Sequence, residues 1–164
     1  MIRTGIGYDS HRFAEGRRLV LGGVEIPHER GLQGHSDADV LIHALCDALL
    51  GAVADGDIGQ HFSDQDPQWK NADSTVLLAR VMERLARTGW QVVNTDATVI
   101  AEAPKLAPHI AAMRTRLAEV MGVDRSRISV KAKTNEGMDA VGRREGISVM
   151  AVATVAQQAF DNPL

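Results

Sequence analysis

The chain has 164 residues, of which 45% are hydrophobic and 24% charged, and its formal net charge is −3. This length is enough for a core that needs no disulfides, and residues 1–164 are expected to form a single domain. The negative charge argues against a nucleic-acid partner. No apolar run approaches the roughly 20 residues of a membrane span and the N-terminus lacks a signal-peptide core, so a cytoplasmic protein without a membrane partner is expected.

The N-terminal part is predicted to be mainly β-structure. Residues 2–8 are a β-prone run that ends at Asp9-Ser10-His11-Arg12. Residues 18–26 indicate two strands around a Gly22-Gly23 turn, and therefore a hairpin. A polar connector follows over residues 27–34.

Residues 35–64 hold three of the six histidines. Ser36 is predicted to be the N-cap of a helix, with Asp39 reaching back to a free backbone N–H, and apolar residues then recur at helical spacing. At about 100° per residue, Ser36, His43 and Asp47 line up along the edge of the apolar stripe. The second part of this stretch is rich in Gly and Asp and is predicted to be a loop.

The single cysteine, Cys46, lies on the apolar side of this helix and is expected to be inert packing in a reducing compartment.

The elements predicted beyond the loop are, in order, a helix capped by Asn71 or Asp73 and closed by Gly89, a strand over 90–101, a turn over 102–105, a helix from about 108 to 121 stopped by Gly122, a strand over 127–134, a charged Gly-rich loop over 135–146 and a strand over 147–156. The last strand is nearly all apolar and is expected to be central or covered on both faces. The tail, 157–164, is expected to fray.

Strands and helices are intermixed, which predicts an α/β (α+β) two-layer sandwich, a mixed β-sheet with helices packed on one face. The helices are too few to cover the other face of the sheet as well. Oligomerisation through the sheets is the simplest way to cover it.

The first chemical feature is a set of metal-ligand residues. Asp9 and His11 alternate at a strand end, so both side chains can point to the same side. With His43 they make a His₂Asp set with an open fourth position, as a catalytic zinc site requires. Asp47, one turn beyond His43, is expected to hold the second ring nitrogen of that histidine. The alternatives are a boundary histidine on an amphipathic helix and a solvated carboxylate.

Other stretches suit the recognition of phosphate. His35 and Ser36 precede a helix N-terminus, which favours an anion, although a simple cap explains them too. Residues 131–136 end a strand with two lysines, a hydroxyl and a carboxylate, which suits a polyphosphate and a second, hard metal ion at Glu136. Gly59 lets the backbone of its loop approach a ligand closely.

Six motifs follow one another along the chain: Asp9-x-His11, His35-Ser36-Asp37-x-Asp39 with His43, Asp57-Ile58-Gly59, Ala103-Pro104-Lys105, Lys131-Ala132-Lys133-Thr134-Asn135-Glu136 and Gly142-Arg143-x-Glu145-Gly146. In this order and spacing they closely resemble the 2-C-methyl-D-erythritol 2,4-cyclodiphosphate synthase family. The resemblance runs almost from end to end of the chain without a large insertion. Taken as a set the motifs are highly specific, unlike any one of them alone.

The resemblance implies an enzyme of the non-mevalonate isoprenoid pathway. Its cytidine diphosphate substrate would be 4-diphosphocytidyl-2-C-methyl-D-erythritol 2-phosphate, and its products the cyclic diphosphate and CMP. The family is a homotrimer with active sites between adjacent subunits, which agrees with the uncovered sheet face.

The resemblance also implies roles for residues by position. Asp9, His11 and His43 would bind one zinc ion per subunit, Glu136 would bind magnesium or manganese, and His35 and Thr134 match transition-state-stabilising positions. The positions matched to the methylerythritol part are Asp57, Gly59 and the loop with Phe62, Ser63, Asp64 and Asp66. The cytidine part would be enclosed by residues of a neighbouring subunit, namely 101–107, which include Ala101, Pro104, Lys105, Leu106 and Ala107, together with Lys133 and Thr134. Ser36, Ile58, Ala132 and Arg143 complete the predicted substrate-binding set.

The reaction that the resemblance implies fits these residue types. The substrate's own 2-phosphate attacks its β-phosphorus, so catalysis is positioning plus charge neutralisation by two cations. The sequence accordingly offers no convincing Ser-His-Asp or Cys-His arrangement. From the residues alone, a zinc hydrolase that releases phosphate and a non-enzymatic nucleotide sensor stay as alternatives.

The chain departs from the family in the loop before Gly142. Many members carry an aromatic residue there, which lines a central cavity of the trimer that can hold an isoprenoid-like ligand near the arginine matched by Arg143. Here the loop is Met138-Asp139-Ala140-Val141. The resemblance therefore does not carry the cavity ligand over to this chain.

Overall fold

The computed structural model describes residues 1–157. Its strands are β1 Ile2–Ala14, β2 Leu19–Leu21, β3 Val24–Ile26, β4 Gly31–Leu32, β5 Trp90–Ile100, β6 Ile128–Lys133 and β7 Gly146–Gln157. Its helices are α1 Val40–Ala52, α2 Ile58–His61, α3 Ser74–Arg87, α4 Ile110–Met121 and α5 Asp139–Gly142. Single 3₁₀ turns are formed by Pro67–Trp69, Ala107–His109 and Arg125–Arg127.

A five-stranded mixed sheet in the order β4-β1-β7-β5-β6 forms the centre of the fold. β7 is antiparallel to both β1 and β5, while β6 runs parallel to β5. The apolar strand β7 is therefore central, which confirms that prediction. The hairpin predicted around Gly22-Gly23 is also confirmed, as the separate pair β2-β3.

The helices α1, α3 and α4 pack with the sheet around one apolar core. The opposite face of β1 and β7 is apolar and exposed. Ile6 is paired with Val152 and Tyr8 with Met150, and these four side chains are 66%, 39%, 60% and 47% exposed. The second face of β7 is thus left uncovered by residues 1–157 of this one chain.

Two glycines in β1 set the distance between the sheet and α1. A Cβ on Gly5 would lie 2.1 Å from the carbonyl oxygen of Ala48, and one on Gly7 would lie 1.9 Å from that of Ala44. No side chain fits at either position. The backbones of strand and helix are therefore in direct contact. As a result, side chains of α1 lie next to those side chains of β1 that face the helix.

Helix α1 begins later than the sequence analysis predicted. Its N-cap is Asp39, not Ser36, because the Asp39 carboxylate accepts a hydrogen bond from Ile42 N at 3.0 Å. The same carboxylate accepts bonds from Gly22 N at 3.0 Å and Gly23 N at 2.7 Å. Asp39 therefore joins the hairpin turn to the start of the helix. For α3, Asp73 is the cap, as one of the two predicted candidates.

Several element boundaries differ from the prediction. β1 does not end at residue 8 but continues to Ala14, because its pairing with β7 persists as far as Arg12 opposite Gly146. The short helices α2 and α5 form within predicted loops. The predicted frayed tail is wrong for Gln157, which ends β7, pairs with Trp90 of β5 and donates its N–H to Met1 O at 2.9 Å. Residues 158–164 lie outside the described residues.

Candidate metal centre and substrate pocket

Three ligand-type atoms from two elements meet at the contact of β1 with α1. Asp9 Oδ2 lies 3.0 Å from His11 Nε2 and 3.1 Å from His43 Nδ1. The two ring nitrogens are 3.1 Å apart. The sides of this triangle are close to the about 3.4 Å that separates ligand atoms around a tetrahedral zinc ion. Two imidazoles and one carboxylate are also the donor types that zinc takes in catalytic sites.

The electrostatics of the triangle favour a charged pair when no cation is bound. Burial opposes ionisation of Asp9, but hydrogen bonds from His11 and His43 and their charges hold its pKa well below the usual range. Burial likewise opposes protonation of His43, but the hydrogen bond to Asp9 and the nearby carboxylates raise its pKa above the ordinary value. A metal ion at the triangle would have to displace that proton.

The second ring nitrogen of His43 faces two hydroxyl groups. Its Nε2 lies 3.1 Å from Ser36 Oγ and 3.1 Å from Ser74 Oγ. The predicted contact with Asp47 is wrong. Within residues 1–157 the Asp47 carboxylate accepts from Ile58 N at 2.8 Å instead, because its place near the end of α1 faces the start of α2.

A cavity of about 460 Å³ opens beside the triangle. His11 and His43 lie on one side of it, and Ile58, Phe62 and Trp69 are among its apolar walls. The rings of Phe62 and Trp69 contact edge to face, with centroids 5.0 Å apart. The remaining residues that line it are Gly34, His35, Ser36, Gly59, Asp64 and Leu77. A site with metal ligands at one end and an apolar wall at the other suits a small ligand with a charged head and a carbon skeleton.

Local hydrogen bonds shape the loop around this cavity. Asp57 caps α2 by accepting from Gln60 N at 2.9 Å, and Asp66 caps the following 3₁₀ turn by accepting from Gln68 N at 3.0 Å. Ser63 Oγ accepts from Gln65 N at 3.1 Å. His35 Nε2 lies 3.2 Å from Asp66 O, which ties the two sides of the cavity together.

A second cluster of predicted residues forms where β5 and β6 end. Ala101 N donates to Lys133 O at 2.9 Å, and Glu102 accepts from Asn135 N at 2.9 Å. These bonds hold residues 101–107 against residues 132–136, with Pro104, Lys105 and Ala107 at the surface or half-buried and Ala132 exposed. Leu106 is buried in the core, so it has only backbone atoms to offer to a ligand.

Thr134 and Glu136 are neighbours within this cluster. The Thr134 hydroxyl donates to Glu136 Oε1 at 3.0 Å, and both residues are exposed. Glu136 has a left-handed backbone with φ of 51°, a conformation that residues with side chains rarely adopt. Such conformations concentrate at functional sites.

The metal triangle and the second cluster lie at one edge of the sheet, and the second cluster does not line the cavity beside the triangle. β1, β5 and β6 run in the same direction, so their C-terminal ends meet at that edge. β7 separates β1 from β5, which sets them about 10 Å apart. Asn135, however, lines a further cavity of about 460 Å³ together with His11.

The residues that depart from the family pattern also line this further cavity. Asp139 and Ala140 form part of its wall, with Tyr8 and Glu145. Arg143 is exposed and donates to Glu145 Oε1 at 2.6 Å. This part of the surface therefore carries the carboxylates of Asp139 and Glu145.

Three residues at the site were not predicted from the sequence: Trp69, Ser74 and Leu77. Trp69 could have been found, because an aromatic residue in a polar loop needs a packing partner. Ser74 and Leu77 gave no such signal, since each has an ordinary position in the first turns of α3. In the part of the chain that the structure describes, we also find no helix that is both long and apolar enough to span a membrane.

Comparison with known proteins gives a consistent result. The model of the YgbB family matches residues 2–156 of the chain. The 2-C-methyl-D-erythritol 2,4-cyclodiphosphate synthase of Syntrophomonas wolfei is 58% identical, over 95% of this chain and 99% of its own length. The same enzyme of Salinibacter ruber is 56% identical, over 94% of this chain and 98% of its own length.

Solved structures show the same likeness. A 2C-methyl-D-erythritol-2,4-cyclodiphosphate synthase in a form bound to CDP superposes with a TM-score of 0.86 at 38% identity, over 94% of this chain and all of the other. The bifunctional IspDF from Campylobacter jejuni superposes with a TM-score of 0.93 at 41% identity. That alignment covers 96% of this chain and 43% of the bifunctional protein.

Proposed function

The chain belongs to the YgbB family, and from this premise we propose that it is a metal-dependent 2,4-cyclodiphosphate synthase whose active sites lie between subunits. It converts 4-diphosphocytidyl-2-C-methyl-D-erythritol 2-phosphate to 2-C-methyl-D-erythritol 2,4-cyclodiphosphate and CMP. An oxygen of the 2-phosphate attacks the β-phosphorus, and the bond between the β-phosphorus and the oxygen that joins it to the α-phosphate breaks to release CMP.

The observation that carries the metal dependence is the triangle of Asp9 Oδ2, His11 Nε2 and His43 Nδ1, with sides of 3.0 to 3.1 Å. These three residues would hold one zinc ion in each subunit. A zinc ion bound there would supply a Lewis acid that neutralises charge on the diphosphate. Glu136, with the Thr134 hydroxyl beside it, would hold a magnesium or manganese ion.

The chain's own residues position the substrate on either side of the reacting phosphorus. The cavity beside the triangle, with its walls of Ile58, Phe62 and Trp69, receives the methylerythritol part, and Asp57, Gly59 and residues 63–66 offer polar contacts to its hydroxyl groups. Residues 101–107 with Ala132 and Lys133 enclose the cytidine part. Four further residues would donate hydrogen bonds to phosphate oxygens: Ser36, His35, Thr134 and Arg143. Holding the attacking phosphate and the β-phosphorus together would accelerate the reaction, beside the neutralisation of charge by the cations.

A homotrimer accounts for two features of the single chain. The exposed apolar face of β1 and β7 needs a cover, which a second and a third copy of the sheet would provide. The metal triangle and the residues 101–107 lie in separate places within one subunit, and a neighbouring subunit would bring its own copy of residues 101–107 to the triangle. The cytoplasmic location expected from the sequence stays a prediction.

The shared active site is tested by mixing two inactive variants. His43→Ala removes a metal ligand, and Thr134→Ala removes a hydroxyl on the other side of the site. Co-expressed in equal amounts and assembled at random, the two variants should recover about a quarter of the wild-type sites, because some interfaces then combine both intact halves. Recovery no greater than the sum of the separate variants would contradict sites between subunits.

A further inference from the structure

The Nε2 side of His43 contacts a buried serine and, through it, a half-buried carboxylate, and the reaction itself uses neither group. Ser74 is fully buried at the first position of α3, and its Oγ lies 3.1 Å from His43 Nε2. The Ser74 hydroxyl donates its proton to Asp37 Oδ1. The other carboxylate oxygen of Asp37 accepts from Ser74 N at 2.9 Å.

Asp37 is itself fixed by the backbone. Its N–H donates to Ala72 O at 3.0 Å, and its Oδ1 accepts from Asp39 N at 3.1 Å. The segment before α1 is thereby tied to the segment before α3. The Asp37 carboxylate cannot turn away from Ser74 without losing the bonds that it accepts from Asp39 N and Ser74 N.

The hydrogen-bond roles along this chain follow from the groups involved. A carboxylate has only acceptor positions, so the proton between Asp37 and Ser74 belongs to the Ser74 hydroxyl. With that proton committed, Ser74 Oγ can only accept from His43 Nε2. The imidazole must then carry a proton on Nε2. When the second proton, on Nδ1, is displaced, the lone pair of Nδ1 is left for the metal, on the side of Asp9 and His11.

We propose that Ser74 and Asp37 are positioning residues that hold His43 in the tautomer able to bind the metal. Ser74 sets the orientation of the His43 ring, and Asp37 fixes the direction of the Ser74 hydroxyl. We call these two hydrogen bonds the relay. This inference rests on the metal centre proposed above. The hydrogen-bond partners that orient His43 through Nε2 are thus a serine and a carboxylate from outside α1, instead of Asp47.

Ser36 provides an internal comparison, because its Oγ is also 3.1 Å from His43 Nε2. Ser36 Oγ accepts from Ala38 N at 3.2 Å, and no carboxylate within residues 1–157 holds its proton. Its hydroxyl can therefore either accept from His43 Nε2 or donate to it. A donated proton would favour the tautomer that carries hydrogen on Nδ1, which opposes metal binding, so Ser36 alone does not select the required form.

The experiment compares Ser74→Ala with Ser36→Ala in the full-length protein. The zinc dissociation constant is measured by competition with a chelator, without substrate. The Nε2–H resonance of His43 is followed in zinc-loaded protein labelled with ¹⁵N-histidine. We expect Ser74→Ala to weaken zinc binding by about 10- to 100-fold and to speed the exchange of the Nε2 proton with water, whereas Ser36→Ala changes both much less.

Thr75→Ala is the matched control for damage to the start of α3. Its hydroxyl donates to Asp73 Oδ1 at 2.7 Å, and Asp73 caps the helix. This variant should bind zinc as the wild type does. Asp37→Asn keeps the side-chain volume and tests the same relay if Ser74→Ala does not fold. It should weaken zinc binding several-fold. Ser74→Thr keeps the hydroxyl and should retain most of the wild-type zinc affinity.

The outcomes separate the relay from the metal centre. Equal zinc affinity and an unchanged Nε2–H resonance in Ser74→Ala and wild type would overturn the relay while leaving the metal centre intact. A larger loss in Ser36→Ala than in Ser74→Ala would also overturn it. Failure of the wild type itself to bind zinc would contradict the metal centre on which the inference rests.

Discussion

Gly7 of β1 faces Ala44 of α1 so closely that a Cβ on the glycine would lie 1.9 Å from the alanine's carbonyl oxygen. Ala44 follows His43, and Asp9 is two residues beyond Gly7 on the same face of the strand. The backbone contact therefore sets the separation of two metal-ligand residues that are distant in the sequence. The glycine is part of the metal centre's geometry although it contributes no ligand.

Gly7→Ala should consequently damage both stability and metal binding. The methyl group would force α1 away from β1, and we expect the free energy of unfolding to fall by about 3 kcal/mol. Gly51→Ala is the control, because the nearest atom to a Cβ there is Ile6 O at 3.9 Å. That variant should gain up to about 1 kcal/mol, since alanine favours the helix. Denaturant unfolding of both proteins measures the difference, and an unaffected Gly7→Ala would contradict the direct contact.

His43→Ala should leave a folded protein without the metal. Removal of one of three ligands is expected to abolish stoichiometric zinc and to lower turnover by more than about 100-fold. Elemental analysis of the purified protein gives the zinc content. His109→Ala, a histidine in the 3₁₀ turn before α4, is the control and should retain its zinc. A zinc-free His43→Ala protein with wild-type activity would contradict the proposed role of the triangle.

The stabilisation that zinc provides should grow as the pH rises. The pKa of His43 is raised in the folded protein, so its proton stabilises the zinc-free form below the unfolded pKa, and this contribution is lost as the pH rises through the folded pKa. The pKa of Asp9 is lowered in the folded protein, so the ionised carboxylate stabilises the fold near neutral pH, and this stabilisation is lost only in strong acid. Zinc needs both imidazoles neutral, with the ligating nitrogen free of its proton.

The gap in melting temperature between zinc-loaded and zinc-free protein should therefore widen from about pH 6 to about pH 8. Thermal unfolding of both forms across this range measures it. A gap that stays constant or narrows would show that protons do not compete with the metal at this site.

Val152→Glu should break the assembly. The residue is 39% exposed in the single chain and stands opposite Ile6 in the centre of the apolar face. A carboxylate buried there without a partner would be strongly unfavourable, so light scattering should report a smaller mass than for the wild type. Val76→Glu, at a valine that is 47% exposed on α3, should leave the mass unchanged. A wild-type mass for Val152→Glu would place the interface elsewhere.

Local patterns in the sequence predicted much of this fold. The hairpin turn at Gly22-Gly23, the Asp73 cap and the left-handed Gly122 at the end of α4 depend on neighbours in the chain, and all three are present in the structure. The apolar composition of β7 likewise predicted its central place in the sheet. Each of these features is decided within a few residues.

The predictions that were wrong concern contacts between residues that are distant in the sequence. Ser36 has the side chain of a good N-cap, but Asp39 takes that role because it also binds the turn at Gly22-Gly23. Asp47 lies on the correct edge of α1, but α2 offers it a backbone N–H, and Ser74 reaches His43 from 31 residues away. No local pattern in the sequence encodes such contacts.

The most direct test of the proposed synthase activity is phosphorus NMR of the purified protein with 4-diphosphocytidyl-2-C-methyl-D-erythritol 2-phosphate, zinc and magnesium. We predict the resonances of the cyclic diphosphate together with CMP, and their loss in a zinc-depleted sample with recovery when zinc is returned. Release of inorganic phosphate would instead indicate a hydrolase. Tight binding of CDP without turnover would indicate a sensor, and either result would contradict the proposed synthase.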